Sequence, residues 1–199
     1  MEAITSMKRL AVSAGVAMVL AAGQLGVAAA EDNSGSLDGL VGLLGERLAT
    51  ADTVAAVKWE GAVRDGGEPV IDDPGREEAI YEAMGQLGAQ RDLPAGLVRQ
   101  VFQGQIDASK IVQRGLVAEW RYGLAAAPAP ATDLAGIRPV IDGLNIAIVD
   151  ELASERTELA RPDCLAQVAA GVLTVAGRNH LDPLHTAALV RASTPLCGS

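Results

Sequence analysis

Residues 46–59 read Glu46-Arg47-Leu48-Ala49-Thr50-Ala51-Asp52-Thr53-Val54-Ala55-Ala56-Val57-Lys58-Trp59. Turned through 100° per residue, Leu37, Val41, Leu44, Leu48, Ala55 and Trp59 form one helical stripe, and Arg47 and Lys58 lie along one edge of it. Their separation is about three turns, roughly 16 Å at 1.5 Å per residue. A cation at the margin of an apolar stripe ordinarily snorkels to water. Two such side chains leaning toward each other can instead grip one small anion.

Outward from this stretch the chain repeats the same period. A first helix is expected from about Leu37 to Val63, ended by Asp65-Gly66-Gly67-Glu68-Pro69. Asp73-Pro74 opens a second, with Asp73 as cap and Pro74 at the first helical position. Its buried stripe is Ile80, Ala83, Met84 and Leu87, with Arg76 and Glu77 in the first turn on the same side. There they either form a solvated helix start, where Glu77 complements the dipole, or border an interior. Pro94 starts a third helix that reads to Trp120 or Tyr122. Beside its apolar stripe Gln105, Ser109 and Gln113 form an i, i+4, i+8 row, which must pair across to another helix or line a pocket.

After an Ala/Pro linker over residues 123–132, Asp133 caps a fourth helix with Leu134, Ile137, Ile141, Leu144, Ile148 and Leu152 inside. Pro139 is close enough to its start to be tolerated but disfavours helical geometry at Arg138. This segment is expected to end at Arg161-Pro162, followed by a helix from Asp163 and a last one from Asp182-Pro183. The fold class is therefore all-α, a single-domain bundle of about six helices. Five aromatic residues in 199 leave a core of Ala, Val, Leu and Ile, with no run of aromatic and β-branched strand formers.

The N-terminus reads as an address. Lys8 and Arg9 precede an apolar run to about Leu25, and Ala28-Ala29-Ala30 supplies the small residues of a cleavage site. A signal peptide over residues 1–30 and a helical domain over 31–199 follow, with a periplasmic or extracellular destination. The net charge is −9, and removing the signal takes away Glu2, Lys8 and Arg9 and leaves −10. Such acidity argues against nucleic acid and against anionic membranes as partners. In an oxidising compartment Cys164 and Cys197 read as a disulfide, stabilising by roughly 3 to 4 kcal/mol through chain entropy. His180 and His185 lack the spacing and company of metal ligands and are expected to face solvent.

Arg47, Lys58 eleven residues on, the Asp73-Pro74-Gly75-Arg76-Glu77 helix start, and Ser109 with Gln113 together resemble the active-site pattern of the all-helical chorismate mutases. The exported branch is the nearer match. That branch also carries a signal, an Ala/Pro linker, an Asp-Leu-x-x-x-Arg-x-x-Ile-Asp stretch, here from Asp133 through Arg138 to Asp142, and a C-terminal disulfide. The resemblance implies that Arg47, Arg138 and Lys58 hold the two carboxylates of chorismate. Lys58 and Gln113 would hydrogen-bond its ether oxygen and Glu77 its ring hydroxyl, while Asp73, Arg76 and Ser109 complete the substrate-binding wall. In the intracellular branch one arginine comes from a partner subunit, and Arg138 is the same-chain candidate to replace it. Neutral Gln113, where some exported relatives carry Glu, is closer to the intracellular pattern.

The implied reaction, an intramolecular Claisen rearrangement to prephenate, needs no metal, redox cofactor or nucleophile, and a homodimer is the implied assembly. Two other readings fit the same residues. One is an exported helical protein that binds a small carboxylate without catalysis, and the other is isochorismate pyruvate-lyase on a similar scaffold.

Overall fold

The computed structural model describes residues 37–197, so the signal segment 1–30 and the polar lead-in 31–36 lie outside the described residues. Within them the chain is helical throughout and contains no strand. The order is α1 (Asp38–Asp65), α2 (Pro74–Ala89), α3 (Ala95–Arg121), α4 (Leu134–Ser154), α5 (Arg156–Leu159), α6 (Cys164–Arg178) and α7 (Pro183–Ser193), closed by a 3₁₀ turn at Thr194–Leu196.

Capping chemistry places several of these boundaries. The carboxylates of Asp73, Asp133 and Asp182 accept from the backbone N–H of Arg76, Gly136 and His185 at 3.1, 2.8 and 2.8 Å. Gly66 ends α1 in the left-handed region, at φ 69°, where a side chain is disfavoured.

Two expectations need correction. Pro139 does not disturb the backbone at Arg138, because α4 runs continuously through both. The N–H that Pro139 lacks would have served the first turn, whose residue Ala135 is exposed, so its carbonyl can turn to water. The fourth helix also stops at Ser154, short of Arg161, and the four-residue α5 makes a seventh helix. Glu151, Glu155 and Glu158 crowd this end with no cation in the last turn, which opposes the helix dipole.

α1 is the central rod, packing against α3, α4, α6 and α7, while α2 lies on α3 and α4. Leu40, Val41, Leu44, Leu48 and Ala51 of α1 meet Val98, Val101, Phe102 and Val112 of α3, Ile148 and Leu152 of α4, and Leu189 of α7. A smaller apolar cluster at the far end of α1 joins Ala55 and Ala56 to Val117 and Trp120, with Trp59 edge-on to Trp120 at 5.9 Å. Cys164 is bonded to Cys197, tying the start of α6 to the end of the described chain. No helix among the described residues is long and apolar enough to cross a membrane.

Candidate active site

A cleft opens where α1, α2, α3 and α4 converge. Its empty space is about 730 Å³, counting the open solvent at its mouth. Arg47, Lys58, Asp73, Arg76, Glu77, Ser109, Gln113 and Arg138 all line it, so every predicted site residue is at this one place. Val54, Ile71, Ile80, Ile106, Ile137 and Ile141 supply an apolar lining between them.

Arg47 does not snorkel. It is 4% exposed and donates through Nε to Asn145 Oδ1 at 2.6 Å, and no carboxylate among the described residues lies within ion-pair distance. Burial pulls its pKa down to about 10, against the opposing field of Asp142, and it remains a cation at neutral pH. A buried cation with a single neutral partner is costly, and an anion entering the cleft relieves that cost.

One helical stretch further on, half-buried Lys58 donates to Gln113 Oε1 at 3.0 Å and to the Ile71 carbonyl at 2.9 Å. Desolvation lowers its pKa, while Asp73, Asp72 and Glu77 pull the other way. Gln113 Nε2 in turn donates to Ser109 Oγ at 3.0 Å, the i, i+4 pair expected on α3. Gln105, the first member of that row, points elsewhere. It is buried with neither amide atom hydrogen-bonded and takes no part in the cleft.

The α2 start contributes a cation and an anion. Arg76 donates to Asp142 of α4 at 2.5 Å, and Glu77 is clasped by Lys110 of α3 at 2.7 Å. Arg138 differs from the other arginines: it is exposed at the rim and has no hydrogen bond or ion pair among the described residues. The segment before α2 is held as a wall by Arg114 on Asp72 at 2.8 Å, by Arg121 on Glu68 and by Lys58 on Ile71.

Asn145 and Lys110 escaped the sequence reading. Asn145 left a signal: it is four residues after Ile141 and three before Ile148, a polar side chain in the middle of an apolar stripe. Lys110 left none, since a lysine next to a polar row reads as a solvated face. His185 is a correction. Instead of facing solvent it is 13% exposed, with Nε2 at 2.9 Å from Asp52 and Nδ1 at 2.9 Å from Asp182, on the α7 side of α1.

Residues 38–114 match the type II chorismate mutase family. Over 184 residues, 92% of this chain and 98% of the relative, the sequence is 36% identical to a secreted chorismate mutase of Mycolicibacterium smegmatis. The chain belongs to the chorismate mutases. A secreted chorismate mutase of Mycobacterium tuberculosis is 31% identical across 94% of this chain and 91% of its own length. The crystal structure of chorismate mutase from Burkholderia phymatum superposes with a TM-score of 0.74 at 34% identity, covering 82% of this chain and 96% of that one. The secreted chorismate mutase from Yersinia pestis, at 21% identity and a TM-score of 0.63, shares the fold.

Proposed function

We propose that this protein is an exported chorismate mutase whose rearrangement is carried by Lys58, Gln113 and Arg47. The observation that carries the reading is Arg47, a buried guanidinium without an ion-pair partner among the described residues, facing a cleft that also collects Lys58, Arg138 and two amide or hydroxyl donors. Export is supported by the signal pattern of residues 1–30 and by relatives named as secreted. Residues 31–199 are the working enzyme under this reading.

Conversion of chorismate to prephenate breaks a carbon–oxygen bond and forms a carbon–carbon bond within one molecule. The enzyme folds the enolpyruvyl arm over the ring and stabilises the charge that grows on the ether oxygen. Arg47 at the floor and Arg138 at the rim fix the carboxylates from opposite ends, which is positioning. Lys58 serves the ether oxygen with a full charge and also reaches a carboxylate. A well-aimed donor of this kind is worth roughly 3 to 4 kcal/mol in the transition state.

In the free enzyme Gln113 presents its carbonyl to Lys58 and its NH₂ to Ser109. To donate to substrate the carboxamide turns over. The ether oxygen then replaces Gln113 as acceptor for Lys58, and Ser109 changes from acceptor to donor. The torsion involved is broad and soft, so the turn is cheap. Glu77 accepts from the ring hydroxyl, while Arg76, aimed by Asp142, and Asp73 complete the wall.

The direct test uses the purified mature chain. Chorismate absorbance disappears and prephenate accumulates in equal amount, whereas incubation with isochorismate releases no pyruvate. Binding of chorismate without turnover would leave a carboxylate-binding protein. A homodimer is the proposed assembly. Leu165 and Leu173, 70% and 72% exposed on the outer face of α6, support a second copy as the cover, and sedimentation reads the mass directly.

A further inference from the structure

Lys110 belongs to no part of the rearrangement described so far. It stands on α3 one residue past Ser109, lines the cleft, and its ammonium lies 2.7 and 2.8 Å from the two oxygens of Glu77 and 3.1 Å from Asp72. The Lys110–Glu77 side chains are 16% and 19% exposed, and no other ion pair among the described residues has both partners below a fifth. Half-buried pairs contribute little net stability once desolvation is counted, so stability does not account for it.

Oε1 of Glu77 accepts from the Asp73 backbone N–H at 3.2 Å with the Lys110 ammonium in ion-pair contact beside it, whereas the one hydrogen bond on Oε2 among the described residues comes from Lys110. A carboxylate oxygen carries two acceptor sites, and Oε2 therefore keeps one for a hydroxyl.

We propose that Lys110 is a positioning residue that clasps Glu77 and thereby sets the preference of the cleft for ligands bearing the ring hydroxyl. This rests on the reading of Glu77 given above, and the tests separate the two. The probes are two competitive inhibitors, cyclic dicarboxylate analogues of chorismate that differ only in the ring hydroxyl, measured on the full mature chain.

Lys110→Met is expected to weaken the hydroxylated inhibitor about tenfold and to leave the deoxy inhibitor within about twofold, so that the wild-type preference collapses. Lys110→Arg restores the preference. Asp72→Asn, which breaks the other contact of Lys110, keeps it. If Lys110→Met weakens both inhibitors alike, Lys110 acts as a direct cation or a strut and the inference is overturned, as it is if the preference survives. Glu77→Leu, which removes the acceptor, sorts the two readings. A preference retained there defeats the role of Glu77 itself, while a preference lost in Glu77→Leu and kept in Lys110→Met defeats Lys110 alone. Should Lys110→Met misfold by circular dichroism, Lys110→Gln is measured against the same outcomes.

Discussion

α1 carries two polar clusters, and they are built on opposite principles. At Asp52 every group is answered: His185 sits between two carboxylates, and both ring nitrogens have an acceptor at 2.9 Å. At Arg47 and Lys58 the groups are under-served. Among the described residues Arg47 has one neutral amide, and Lys58 has a carbonyl and an amide oxygen but no carboxylate in ion-pair contact. Both clusters lie on one helix among similar apolar neighbours, so the helix is not what distinguishes them. A satisfied cluster is a fastening, whereas under the proposed function the under-served cations beside the cleft form a receptor whose missing partners arrive with the ligand.

The comparison breaks most visibly at Lys58. Lys58→Ala is expected to lower kcat by roughly 10³-fold, at the upper end for one transition-state donor, while leaving the helical circular dichroism intact. A loss of helicity together with activity would move Lys58 to the fastening class. Gln113→Glu comes next. A carboxylate in place of the Gln113 amide cannot donate to the ether oxygen while it is ionised. kcat/KM at pH 7 is expected to fall by about 10²-fold and to recover as pH drops toward 5, where the protonated form can donate. The wild-type profile is expected to stay nearly level from pH 5 to 8, and parallel profiles for the two proteins would remove Gln113 from the chemistry.

Arg138 sharpens the contrast within the receptor itself. It shares the cleft with Arg47, yet it is exposed at the rim, where water screens its field. Arg138→Ala is expected to raise KM about tenfold with kcat changed less than threefold, and the defect should grow as salt is reduced. An equal loss in kcat would mean that Arg138 serves the transition state, the role proposed for Lys58.

The helical period of α1 to α3 was plain in the sequence because propensity, caps and apolar spacing agree there. Asp73-Pro74 and Asp182-Pro183 marked true helix starts, and both histidine and proline readings failed where local rules met distant partners. Pro139 is a local penalty that the packing of α4 over the cleft overrides. His185 looked solvent-facing because Asp52, 133 positions away, cannot be seen from residue 185. That these side chains would gather at one cleft was legible through their resemblance to a family pattern, but their orientation was not. The direction in which the Gln113 amide points, the Asn145 support beneath Arg47 and the Lys110 grip on Glu77 all depend on which helices touch.

The smallest effect is expected at the satisfied cluster. Burial pulls the His185 pKa down, and the hydrogen bonds and charges of Asp52 and Asp182 more than reverse it, so the folded value stands above the ordinary one of 6.5. A group whose pKa is raised by folding contributes stability that is fully present below the unfolded value. That contribution fades as pH climbs from about 6.5 through the folded pKa. Asp182 runs the other way: its pKa is lowered by the His185 backbone N–H and side chain, so its share is lost only in acid, below about 4. The wild-type Tm is therefore expected to decline by a few degrees from pH 6 to 9. His185→Leu should flatten that slope with kcat/KM within twofold of wild type. Asp52→Asn, which cuts only the α1 end and spares the α7 cap, should flatten it in part. A His185→Leu protein with an undiminished slope would assign the pH dependence elsewhere, and one with damaged turnover would show that the fastening on one side of α1 holds the receptor on the other in shape.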